Sequence, residues 1–170
     1  MAAKTYGVMN GAAPGAAAPV AITTGTAIRT MLQLATNTTT PAIRFVEWWV
    51  EFDGSTAATP IRVELVRHTG GAQTTLTAFA AADIARVNDP NAPASSVQLG
   101  TALSGFSNTT TEVTPTGAVS LETHFVPPTS GIYVQFPLGR EPEVQVAAFA
   151  RIRVTAGAAV NCYAGAMWEE

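Results

Sequence analysis

Charge is what this chain has least of. Charged residues make up 12% of its 170 positions, and Lys4 is the only lysine beside eight arginines. The net charge is −3, so there is no basic excess to neutralise a phosphate backbone, and no nucleic-acid partner is expected. A lone cysteine, Cys162, excludes an intrachain disulfide. No apolar run approaches the ~20 residues of a membrane-spanning helix. Met1–Ala18 has neither a basic n-region nor a continuous apolar h-region, so neither a membrane span nor a signal peptide is expected. Gly-x-Ser-x-Gly elbows, P-loops and locally supported Cys–His pairs are also missing, and no catalytic residue is nominated.

What is present is apolar and strand-like. Hydrophobic residues reach 47%, too many for a disordered chain, and the length suits one domain with a real core. The strongest signal is Ala42–Gly54, where Val46, Trp48, Val50 and Phe52 alternate with Glu47, Trp49 and Glu51 before Asp53-Gly54 turns the chain. Neighbouring side chains of a strand point to opposite faces, so Trp48 and Trp49 cannot share a core. Trp48 is assigned inside. Trp49, between two glutamates, is left for cover by the chain's own loops, for another subunit, or for a sugar ring.

Similar alternation recurs at Ile28–Leu34, Ile61–Val66, Val119–Phe125, Ile132–Phe136, Ala148–Val154 and Val160–Trp168, with turn signals between them. FAAADIARV, within Thr75–Val87, suits a short helix, NDPNAP at Asn88–Pro93 a loop, and Ser96–Leu103 a further strand. About eight strands predict an all-β chain folded as a single antiparallel β-sandwich, jelly-roll-like, over residues 20–170. Residues 1–19 are small and Pro/Gly-punctuated, which predicts an extended, flexible arm outside the sandwich, with Tyr6, Val8 and Met9 to dock it on a partner. The expected core is Ile28, Leu32, Val46, Trp48, Val50, Phe52, Val63, Leu65, Leu121, Phe125, Ile132, Val134, Phe136, Ile152, Val154 and Val160.

Candidate chemistry is sparse. His68 and His124, the only histidines, fall on polar strand faces and read as solvated rather than as ligands, so no metal site or cofactor is expected. Cys162 reads as a small buried hydrophobe. Glu47, Glu51, Glu64 and Glu122 are expected to pair with Arg62, Arg151 and Arg153 across strands. Arg140, in PLGREPEV, is a loop arginine whose ordinary role is a local ion pair and whose functional role would be at a binding end of the sandwich.

The segments AITTGTAIRTMLQLAT, IRFVEWWVEFDGS, TPIRVELVR, YVQFPLGREPEV and RIRVTAGAAVN running to WEE together resemble small virion structural proteins of tailed bacteriophages infecting actinobacteria, of the capsid decoration (cement) type. The resemblance covers most of Ala21–Glu170 and is weak at the arm and at Thr75–Thr116. It implies a non-enzymatic β-sandwich that binds the major capsid protein on the exterior of the virion and reinforces the head, as a homo-oligomer with a trimer favoured. The alternative is a carbohydrate- or receptor-binding module of a phage tail or cell surface. On either reading the candidate interface residues are Tyr6, Val8, Met9, Trp49, Tyr133 and Arg140.

Overall fold

The computed structural model describes residues 3–11, 22–36, 42–54, 59–73, 76–77, 81–97, 106–107 and 112–170. Its strands, in chain order, are β1 (Thr5–Met9), β2 (Ile22–Thr23), β3 (Ile28–Ala35), β4 (Ile43–Asp53), β5 (Ile61–His68), β6 (Leu76–Thr77), β7 (Ala85–Arg86), β8 (Phe106–Ser107), β9 (Val119–Val126), β10 (Gly131–Gln135), β11 (Glu143–Val144), β12 (Phe149–Thr155) and β13 (Asn161–Glu169). Two antiparallel sheets pack face to face as a β-sandwich. The larger runs β10-β4-β13-β1-β7, with β11 on β4 and β2 on β13; the smaller runs β3-β12-β5-β9. Where a short helix was expected there is one 3-10 turn, Ala81–Asp83, followed by β7. The expected strand Ser96–Leu103 lies largely outside the described residues.

Both sheets turn apolar faces inward. Trp48 and Trp168 are fully buried, together with Leu32, Val50, Val63, Leu65, Ile152, Val154 and the small side chains Cys162, Ala164 and Ala166. Alanines on β13 opposite Trp48 and Val50 leave room for the indole, so bulk on one strand is matched by its lack on the next. Burial drives the Cys162 thiol pKa far up, which keeps it protonated and inert.

Strand phase departs from strict alternation at three bulges. In β4, Glu47 faces Met167 but Phe45 faces Trp168, so Val46 is an extra residue and the inward set becomes Ile43, Phe45, Trp48, Val50 and Phe52. Val46, expected inside, is only half-buried, while Ile43 and Phe45 are core. In β3 the extra residue is Met31, which turns Ile28 to the partly exposed face. In β9 it is Leu121, which is partly buried. There the inward phase is set by Val126 and His124, opposite Ile61 and Val63. Phe125, expected in the core, is 71% exposed. A slip of one residue exchanges the faces of a strand, and Phe125 shows it. Ile132, Val134 and Phe136 lie at the sandwich edge, partly buried against the core.

The largest revision concerns the N-terminus. Residues 5–9 are not an arm outside the domain but a strand within the larger sheet, paired with β13 from Thr5↔Glu169 to Met9↔Gly165 and flanked by β7. Backbone bonds between Lys4 and Glu170 in both directions, at 3.1 and 3.0 Å, extend the ladder. Asn10 continues it, its side chain accepting from the Ala164 amide at 2.9 Å and donating to the Cys162 carbonyl at 3.3 Å. Residues 12–19 of the expected arm lie outside the described residues.

Candidate binding face

Three of the six nominated residues meet on the outer face of the larger sheet. The pairings Tyr133↔Trp49, Trp49↔Gly165 and Gly165↔Met9 place Tyr133, Trp49 and Met9 in one row across four strands. The next row is Gln135, Glu47, Met167, Gly7 and Ala85, and on the other side come Gly131, Glu51 and Tyr163. Tyr133 is 59% exposed, Val87 beside Met167 is 46% exposed, and Trp49, Met9 and Met167 are partly buried.

Glycine makes this face flat. A Cβ on Gly165 would fall within the ring of Trp49, one on Gly7 would sit 3.2 Å from Met167 Cγ, and one on Gly131 would sit 2.9 Å from Glu51 Cγ. Each glycine lies directly opposite the large residue in the ladder, so Trp49, Met167 and Glu51 each lie down across a neighbouring strand. The cover of Trp49 is thus its own sheet: Gly165 beneath it and the Tyr133 ring beside it, centroids 6.4 Å apart and 25° from parallel. The Tyr133 hydroxyl donates to Glu47 Oε2, and this bond, with some burial, holds its pKa above the usual tyrosine range.

Two hollows border the Trp49–Tyr133 pair. One, about 180 Å3, is apolar and lies between Trp49, Met9, Met167 and Val87. The other, about 450 Å3, is lined by Glu51, Phe52, Ser130, Gly131, Ile132 and Tyr133.

The remaining nominees are elsewhere. Tyr6 and Val8 point into the core, Tyr6 stacking on Trp168 at 6.2 Å and donating to the Pro93 carbonyl at 3.0 Å, so neither is a surface contact. Arg140 is exposed in the turn after β10, closed by its own amide on the Pro137 carbonyl at 2.9 Å, and does not join the row.

The histidines differ from expectation. His68 is fully buried, stacked on Phe149 at 5.0 Å, with Nδ1 donating to the Gly70 carbonyl at 2.8 Å. Burial and the neighbouring Arg151 lower its pKa to about 4, so it is neutral at pH 7. His124 is half-buried near Trp48 and bonds Glu122 at 2.9 Å. Among the described residues no three His, Cys, Asp or Glu side chains gather to hold a metal ion, and no helix is long and apolar enough to cross a membrane.

No family model, curated protein or solved structure matches this chain. Sequence reasoning found Trp49 and Tyr133 but missed Met167, Val87 and the glycine seats. Glycine inside an alternating strand was the available signal; the register that pairs each with a large residue was not readable.

Proposed function

We propose that this chain is a non-enzymatic structural protein that adheres to a protein surface through the outer face of its larger sheet. Specifically, we read it as a virion protein that binds the outside of an assembled phage capsid, with the major capsid protein as partner, and reinforces it as a homo-oligomer. The observation that carries the adhesive part is the row of Tyr133, Trp49 and Met9, with Trp49 seated over Gly165 and the row bordered by Met167 and Val87. Tyr, Trp and Met are the residues enriched where proteins meet. These side chains lie next to one another on an open sheet face, which offers contact area to another protein surface. The virion part rests on the sequence resemblance alone.

The test is location and occupancy. The chain should co-purify with tail-less capsids and appear as density on the outer surface in a cryo-EM map, and Trp49→Ala should lower its occupancy. Recovery with tails, or full occupancy of the Trp49→Ala protein, would defeat this reading. One observation favours a second reading: the near-parallel Trp49 and Tyr133 rings on an open sheet also form a platform for a sugar. Shifts of the Trp49 indole signal on adding oligosaccharides, with no capsid binding, would select it.

A further inference from the structure

The edge of the larger sheet beside the Trp49–Tyr133 pair is chemically specific. In the β10–β4 ladder the Phe52 amide bonds the Ser130 carbonyl and the Phe136 amide bonds the Val46 carbonyl, each at 2.9–3.0 Å. Antiparallel pairs alternate, so Gly131, Tyr133 and Gln135 turn their own N–H and C=O groups away from β4. No strand among the described residues lies on that side. These three residues also carry their side-chain positions on the outer face, so the open backbone groups and the hollow at Gly131 belong to the same stretch.

The hollow is acidic and aromatic. Tyr133, Gly131 and Glu51 line it together, with the exposed Glu51 lying across Gly131. No cationic side chain among the described residues forms an ion pair with Glu51. The wider face is acidic as well: it carries Glu47, Glu51, Asp53 and Glu169, against Arg44, which already pairs with Glu169 at 3.6 Å.

We propose that an extended segment of a partner protein adds to β10 as a further strand and places an arginine or lysine side chain in this hollow. Main-chain bonds to Gly131, Tyr133 and Gln135 would hold the segment. Its cationic head would meet the face of Tyr133 and the carboxylate of Glu51 together, combining cation–π attraction with an ion pair. This deepens the reading of the face as protein-binding and rests on it, because it names the partner's chemistry: extended and basic, rather than a glycan or an acidic surface.

The probe is an acetylated, amidated Thr-Val-Arg-Val-Thr peptide, with the citrulline peptide as its neutral counterpart. Trp48 and Trp168 are fully buried, so solvent-sensitive tryptophan fluorescence reports on Trp49. The arginine peptide should change that emission and slow solvent exchange of the Gly131, Tyr133 and Gln135 amides. The citrulline peptide should bind about fivefold more weakly, and Glu51→Gln should weaken the arginine peptide by a similar factor. Equal binding of the two peptides, an unaffected Glu51→Gln protein, or no change at β10 would each overturn the proposal. Capsid occupancy separates the two levels. Occupancy lost in Trp49→Ala but intact in Glu51→Gln leaves the protein-binding face standing and refutes the cationic segment; occupancy intact in both refutes the face itself.

Discussion

The outer faces of the two sheets are covered in different ways. On the smaller sheet, Arg151 is fully buried under the chain's own loops. Its guanidinium donates to Gln33 Oε1 at 2.9 Å, Glu112 Oε1 at 3.0 Å, the Val113 carbonyl at 2.7 Å and the Gly71 carbonyl. Glu112 in turn accepts from the Thr30 amide at 2.8 Å, the Thr30 hydroxyl at 2.7 Å and Gln73 Nε2 at 2.5 Å. Polar groups there tie residues 71–73 and 112–113 down onto the sheet. On the larger sheet the equivalent layer is Trp49, Met167 and Glu51 lying over glycines, with Tyr133 beside Trp49; Glu47 accepts from Tyr133, and Glu51 is open to solvent. One face is closed by polar bonds to the chain's own loops; on the other, large side chains lie across neighbouring strands of the sheet itself.

The sharpest way to break this contrast is to remove the clamp. Arg151→Met strands the buried Glu112 carboxylate, and loss of one partner of a buried pair costs about 3–5 kcal/mol. Urea unfolding should show that loss, and Arg151→Met combined with Glu112→Leu should recover part of it. A cost below about 1 kcal/mol for the single variant would show that the loops are held by other contacts.

A second test is pH. His68 lies beside the clamp, with a pKa of about 4 folded against an ordinary value of 6.5. Between these values the unfolded chain takes up a proton that the folded protein refuses. The contribution of neutral His68 is therefore complete above pH 6.5, falls as pH drops towards 4, and then levels off. The total is about 3 kcal/mol for a shift of this size. Carboxylates titrate in the same range, so the measurement is a difference: His68→Asn should flatten the stability curve between pH 6.5 and 4 by one proton's slope. Parallel curves for the two proteins would contradict the assignment.

The open face responds to a smaller change. Gly165→Ala puts a methyl where the Trp49 indole lies, so the ring must lift, at about 1–3 kcal/mol for overpacking. Tryptophan emission should shift to the red as Trp49 enters water. Unchanged emission with unchanged stability would mean that Gly165 is not the seat of the ring.

Legibility in the sequence followed the range of the interactions. Trp48, Val50 and Phe52 lie on one uninterrupted stretch of β4, and their burial was readable because period two is local. Val46, Ile28 and Phe125 were misplaced because the bulges at Val46, Met31 and Leu121 depend on partner strands. TYGVM offers only five residues around a glycine, and its partners Gly165–Glu169 are at the other end of the chain, so β1 gave no local sign. The clamp was hidden for the same reason, since Arg151 meets Gly71 and Glu112, 80 and 39 residues away. Of the candidate site, the aromatic members could be named from their place on a solvent-side phase. The acidic hollow could not, because it exists only once Gly131 is set opposite Glu51.

The smallest expected effect on stability is also the one that separates the two faces most cleanly. Trp49 is not part of the core; it rests, partly buried, on Gly165 and against Tyr133. Trp49→Ala uncovers backbone at Gly165, loosens the apolar hollow beside Met9 and Met167, and removes one aromatic pair, itself a contact of about 0.5–1.5 kcal/mol. The Glu47–Tyr133 bond does not pass through the indole and should persist, keeping β10 in place. The variant should therefore melt close to the parent while losing capsid occupancy and peptide binding. Trp48→Ala is the matched control one residue away: its indole fills the sandwich interior, and its removal should cost about 3–5 kcal/mol. If the two neighbouring substitutions proved equally destabilising, Trp49 would be a structural residue with an exposed edge, and the larger sheet's outer face would lose its claim to be a binding surface.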